Sequence, residues 1–216
     1  MKRIFMDLEM NPISSSQKEA REICRSEVIE IGAVMLDEEN KEISRFQTYV
    51  RPQYSADIAP YITNITGITT GHVSGAESFD KAFQKFLIWC GTEYEIYSWS
   101  ENDPIQLQKE MELKSMPASA ETVYMFLHWH DLQKEYEKML FLERRIALKT
   151  ALKNAGLEFC GRAHSALSDA SATADLYREM TEGKEIKKIN SMLSAAKKPL
   201  GTSLGDLLGS FALQTV

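Results

Sequence analysis

Two carboxylates one residue apart inside an apolar run constrain this chain more than any other feature. The run is Ile4-Phe5-Met6-Asp7-Leu8-Glu9-Met10. In a strand, residues i and i+2 share a face, so Asp7 and Glu9 stand side by side while Met6 and Leu8 face an opposite core. Like charges this close repel, and burying them is costly unless something positive lies between them. A hard divalent cation, which takes oxygen ligands, meets that need. An edge strand with a solvated acidic face meets it equally well, and this stretch alone leaves both readings open.

The next runs place that strand in a sheet. Glu27 to Asp37 is β-branched and largely apolar, as in a central strand. After a turn at Asp37-Glu38-Glu39-Asn40, residues Ile43 to Val50 alternate apolar and polar positions, which completes an antiparallel meander of three strands. Met10 to Ser26 reads as a loop or short helix, and Gln53 to Gly75 as a loop rich in Gly and Thr. Ser78 caps a helix carrying Phe79, Phe83, Phe86, Leu87 and Cys90, closed by Gly91. Tyr94 to Ser100 is a fourth strand, Asp103-Pro104 opens a helix, and Tyr124 to Leu132 is predicted as a fifth strand. Helices follow over Leu132 to Leu142, Ile146 to Ala155 and Leu167 to Met180. Strands first, then strands alternating with helices, describe an α/β fold: a mixed five-stranded sheet flanked by helices.

Composition sets outer limits. The 216 residues suit one large domain with an appendage, and no 18-residue apolar run is present to span a membrane. Asp7 interrupts any apolar segment behind Lys2 and Arg3, which argues against a signal peptide. Cys24, Cys90 and Cys160 are odd in number and widely spaced, which suits reduced thiols and a cytoplasmic setting. The net charge of −6 argues against a sequence-independent duplex binder with a broad basic surface. It leaves a nucleic-acid enzyme open, because metal ions on a carboxylate cluster cancel local charge.

Three further residues answer the opening pair. Asp103 lies where the fourth strand enters a helix; His164 and Asp169 lie five apart across a loop-to-helix boundary. Singly, these are a helix cap, a surface histidine and a first-turn acid favoured by the helix dipole. His128 and His130, two apart on the predicted fifth strand, would share a face; with no partner pair at metal-site spacing they read as packing or surface residues.

Taken together, Asp7-x-Glu9, Asp103 and His164-x-Ala166-x-x-Asp169 resemble the DEDDh group of 3′–5′ exonucleases, whose fold is ribonuclease H-like. The text at Ser26 to Val34, Val50-Arg51-Pro52, Ile65 to Thr69, Ser98-Trp99 and Gly161 to His164 is similar to the branch of histone-mRNA and small-RNA trimming exoribonucleases and KapD-type proteins. The resemblance covers roughly residues 2 to 181, so residues 1–181 are expected to form the exonuclease domain. Residues 182–216, basic and then apolar, are expected to form a helical tail that docks a partner or a second copy.

The resemblance implies a single-stranded RNA or DNA substrate with a free 3′ end, and two Mg²⁺ or Mn²⁺ ions held by Asp7, Glu9, Asp103 and Asp169. Two such ions about 3.5–4 Å apart activate water and stabilise both oxygens of an in-line displacement. His164 would serve as general base, since histidine is suited to proton transfer near neutral pH. Met10 would meet the terminal sugar, and Ile65, Thr66, Gly67 and Ile68 the terminal base. Trp99 would stack and Arg162 contact a phosphate, although a core aromatic and a solvated arginine are equal alternatives. A proofreading-type DNA exonuclease and a regulatory nucleic-acid-binding module remain the rival readings. Ser100, where the branch often has Gly, is a small departure.

Overall fold

The computed structural model describes residues 1–162, 164–183 and 189. Strand β1 (Lys2–Pro12) lies inside a six-stranded sheet beside β2 (Ser26–Leu36) and β5 (Tyr94–Ser98). β2 pairs antiparallel with β1 and with β3 (Glu42–Arg51), whereas β5 runs parallel to β1 and to β6 (Trp129–Asp131). A two-residue strand, β4 (Glu77–Ser78), adds a sixth member in parallel register with the end of β3. The antiparallel meander of three strands is the one read from the residue pattern.

Alternation along β1 sends its side chains to two cores. Ile4, Met6 and Leu8 join Phe79, Phe83 and Phe86 of α4 (Phe79–Cys90) and Leu107 and Met111 of α5 (Asn102–Leu113). On the opposite face Phe5, Val34, Leu36 and Tyr97 meet Ala174 and Tyr177 of α9 (Ala166–Glu182). That helix lies almost against the sheet because Gly32 in β2 has no side chain. A Cβ there would run into the backbone of Ala166 and Leu167. Small residues on α9 (Ala166, Ala170, Ala172, Ala174) keep the approach close.

Three expectations are corrected. The run from Tyr124 to Leu132 is mostly helix: α6 covers Ala120–Leu127, and β6 begins only at Trp129. The cause lies upstream, where Ser119 accepts a hydrogen bond from the Thr122 N–H at 3.2 Å and donates its own N–H to Thr122 Oγ1 at 2.8 Å. That capping box starts a helix ahead of the apolar run. His128 consequently ends α6, stacked on Tyr124, while His130 sits in β6 bonded to Glu95; they do not share a strand face. Finally, the region from Gln53 to Gly75 holds two short helices, α2 (Pro60–Thr66) and α3 (Thr70–Ser74). Pro60 opens the first, and Gly67 closes it at φ +76°, a left-handed conformation natural to glycine.

Helix α1 (Lys18–Ile23) occupies the segment after β1, and α7 (Leu132–Leu140) and α8 (Leu148–Asn154) pack with α9 around Tyr136, Leu152 and Leu176. Ile189 also packs on this cluster. The remainder of the expected tail over 182–216, beyond Gly183, lies outside the described residues.

Candidate active site

Three elements converge on the middle of β1. Asp7 pairs in register with Gly32 and Glu9 with Glu30, and a bulge after Glu9 ends the regular alternation. Because Gly32 offers only hydrogen, the start of α9 fills the space above Asp7 and brings Asp169 with it. From the other side β5 ends at Ser98 and the chain turns into α5, whose first turn carries Asp103. Asp103 is 5 % exposed, and its Oδ1 accepts the Leu8 N–H at 3.2 Å, which fixes α5 to the strand between the two acids. Asp103 and Asp169 both sit at helix N-termini, where the helix dipole favours negative charge.

His164 lies on the exposed turn ahead of α9, at φ +61°. Its backbone N–H donates to Asp169 Oδ2 at 2.9 Å, so the carboxylate shapes the turn that carries the imidazole. Ligand atoms of Glu9, His164 and Asp169 all lie within 4.8 Å of one another.

One further acid of the cluster, Glu30, is absent from the motifs read in the sequence. Glu30 is buried in β2, directly across from Glu9. Its Oε2 accepts the Ala166 N–H at 3.0 Å, and its Oε1 accepts from Gln47 Nε2 at 2.6 Å. Ser165, the residue at the N-cap of α9, makes no side-chain capping bond, so a carboxylate from the sheet does that work. Glu30 therefore sets where Asp169 and His164 stand relative to Glu9. Its signal in the sequence is a charged residue within an otherwise apolar strand, the same signal that marks Asp7 and Glu9.

The electrostatics are those of crowded acids, offset at Asp169 by His164. Burial, then Asp103, Asp169, Glu9 and Glu30, holds the Asp7 carboxyl well above the usual range. Glu9 is pushed up to about 8 by burial and by Asp169, Glu30 and Asp103. Asp103 is raised to about 7, chiefly by burial, although the Leu8 N–H pulls the other way. Asp169 is raised as well, again through burial. Four oxygen-donor acids that repel one another on a partly desolvated strand face fit a hard divalent cation, whose charge would reverse every one of these shifts.

The expected substrate contacts fall into two groups. Arg162 is exposed, and its guanidinium lies directly over Gly67, where a Cβ would collide with it. The turn that carries His164 and the α2–α3 turn are thus adjacent. Ile65 is 45 % exposed on α2. Thr66 and Ile68 are buried; the Thr66 hydroxyl accepts the Ile68 N–H, and Ile68 packs with Ile29, Ile58 and Val73. Met10 leans on the α4 side of the core, and Trp99 packs between two apolar clusters with Tyr136 at its edge, 6.0 Å away.

A mixed sheet whose first strand and two helix starts gather four carboxylates beside a histidine defines a ribonuclease H-like α/β protein with a metal-binding type of site. The chain belongs to the exonuclease family: the RNase_T family model, described as an exonuclease, matches residues 4–177. It is similar to 3′-5′ exoribonuclease 1 of Mus musculus, 27 % identical over 191 residues that cover 82 % of this chain and 54 % of the relative. The chain spans about half the length of the curated relatives of this kind that it matches. Among solved structures, its fold matches the nuclease domain of 3′hExo, a DEDDh family member, bound to rAMP. There the TM-score is 0.69 with 22 % identity, over 85 % of this chain and 94 % of that one. S. pombe Pop2p in its Mg²⁺ and Mn²⁺ bound form matches at a TM-score of 0.60 with 21 % identity, over 84 % and 85 %.

Proposed function

We propose that this protein is a divalent-metal-dependent 3′–5′ exonuclease that releases nucleoside 5′-monophosphates from single-stranded nucleic acid, with RNA or short oligonucleotides preferred. The observation that carries the reading is the convergence of Asp7, Glu9, Asp103 and Asp169 from three elements beside His164, with no lysine or arginine of the described residues among the groups shifting them. Asp7, Glu9 and Asp169 would hold one Mg²⁺ or Mn²⁺, and Asp103 would help to hold a second. When bound, such ions supply Lewis-acid polarisation of the phosphoryl group and activation of the attacking water.

The remaining work belongs to the chain. His164, on an exposed turn, takes the proton from the attacking water at an imidazole nitrogen. Asp169 orients that turn through the His164 N–H, and Glu30 anchors the helix behind both. Arg162, beside the α2–α3 turn, faces the phosphates of the incoming strand, and Ile65 offers apolar surface to an unpaired base. The relatives named as exoribonucleases support RNA as the favoured polymer.

The test is incubation of the protein with 5′-labelled single-stranded RNA and DNA, with Mg²⁺ or Mn²⁺ and with chelator. A ladder shortening from the 3′ end in metal, abolished by chelator and faster on RNA, is the expected result. A faster DNA ladder would favour the proofreading-type alternative. Intact substrates of both kinds would overturn the enzymatic reading.

A further inference from the structure

The trio Glu9, His164 and Asp169 has a second coordination chemistry available to it. Their donor atoms (two carboxylate oxygens and an imidazole nitrogen) all lie within 4.8 Å of one another. Mg²⁺ demands near-octahedral oxygen ligation and has no use for the imidazole. Zn²⁺ and its stand-in Co²⁺ take nitrogen and carboxylate oxygen together in tetrahedral sites, with ligands about 2.0–2.2 Å from the metal. Such a site brings donors to about 3.3–3.5 Å from one another. His164 is exposed on its turn, so its ring is free of a packed core on the side from which it would approach Glu9 and Asp169.

We infer that Glu9, His164 and Asp169 form an alternative mononuclear site for a borderline transition ion of the Zn²⁺ class, with water as the fourth ligand, and that its occupation switches the enzyme off. Two carboxylates and a neutral imidazole balance a 2+ charge, so the site is electrically complete with one ion. It consumes Glu9 and Asp169, which the oxygen-ligated mode requires, and it occupies the imidazole lone pair that the general base must keep free. The two modes therefore exclude one another. The inhibitory consequence rests on the exonuclease reading above, whereas the site itself rests only on the three side chains.

Co²⁺ titrated into metal-free full-length protein reads the site directly, because four-coordinate Co²⁺ absorbs visible light far more strongly than six-coordinate Co²⁺. The strong band is expected in the unmodified protein and in Cys160→Ser, which removes the exposed thiol as a rival ligand. It should be displaced by one equivalent of Zn²⁺ and lost in His164→Asn. Asn tolerates the left-handed backbone at this position, so folding is preserved; Glu9→Gln should lose the band independently. In the hydrolysis assay, stoichiometric Zn²⁺ should lower Mg²⁺-supported turnover on the order of 10²-fold, the low end of what a general base contributes. Only the weak six-coordinate spectrum, or a strong band that survives in His164→Asn, would overturn the site. Unchanged or raised turnover in Zn²⁺ would overturn the switch. A strong band without any Mg²⁺-supported turnover would leave the metal site in place while removing the exonuclease reading.

Discussion

The molecule buries carboxylates in two places and treats them in opposite ways. At the junction of β2, β3 and α5, Glu27 and Glu110 are fully buried around Lys114, whose Nζ lies 2.6 Å from Glu110 and 3.4 Å from Glu27 and 4.9 Å above the Phe79 ring. Three backbone donors and one side-chain amide finish the cluster: Glu27 accepts the N–H groups of Gln53 and Tyr54, and Glu110 accepts the Val28 N–H and the Gln106 side-chain amide. Burial still pushes Glu110 upward, but Lys114 and those donors pull it back. At the centre of β1, by contrast, Asp7, Glu9, Asp103 and Asp169 have a few backbone donors and, among the described residues, no lysine or arginine shifting them. The first cluster carries its own cation and is complete when the chain folds. On the proposed function, the second is completed by a cation from solution.

The largest effect that separates the two is on catalysis. Asp7→Asn should lower turnover at least about 10³-fold, since the metal's charge stabilisation is worth several kcal/mol. The same variant should unfold at a higher temperature than the unmodified protein when both are metal-free, because one repelling acid is gone. A lower melting temperature for metal-free Asp7→Asn would break the comparison.

Lys114→Met should do the reverse. Removing one partner of a buried ion pair costs about 3–5 kcal/mol. For a chain of this size each kcal/mol lowers Tm by about 2–4 °C. Thermal unfolding should show that loss, and added Mn²⁺ should not make it good.

Glu30→Ala sharpens the border between the clusters. The residue is buried like Glu27, yet it caps the start of α9 by accepting the Ala166 N–H. A hydrogen bond to a charged group is worth about 1.5–3 kcal/mol, and stability should fall within that range. Because the start of α9 moves, kcat should drop by roughly tenfold while KM changes little, in line with loss of about 1.4 kcal/mol of transition-state stabilisation. An equal rise in KM with kcat intact would assign Glu30 to substrate binding instead.

The last effect is that of pH on the metal-free protein. Glu9 titrates near 8 and Asp103 near 7 in the folded state, against ordinary values near 4 when unfolded. Between these limits the folded chain binds more protons than the unfolded one, so stability is full below about pH 4 and declines as pH rises toward 8. Melting temperature should therefore fall from pH 5 to pH 8 without metal, and saturating Mn²⁺ should flatten that slope. A metal-free Tm that rises over this interval would contradict the assignment.

Much of this was legible in the residues because it is local or periodic. The alternation around Asp7 and Glu9, the β-branched run of β2, the helical spacing of Phe79, Phe83 and Phe86, and the order of Asp103, His164 and Asp169 all survive in the structure. What was missed depends on information elsewhere in the chain. The helix α6 is specified by Ser119 and Thr122, before and at the edge of a run whose aromatic content favours a strand. The helices α2 and α3 span seven and five residues, too short to establish a period. Glu30 acquires its role only when β1 and β2 pair in register and Gly32 admits α9, both long-range facts.

The central claim is that the β1 acids are held partly protonated until a divalent cation replaces their protons. Calorimetric titration of Mn²⁺ into metal-free protein at pH 6.5, repeated in buffers of different ionisation enthalpy, counts the protons released on binding. The account predicts release of at least about one proton per protein, since bound metal requires deprotonated ligands, with both the binding and the release lost in Asp7→Asn. Mn²⁺ binding with no proton release, or binding unchanged in Asp7→Asn, would contradict it.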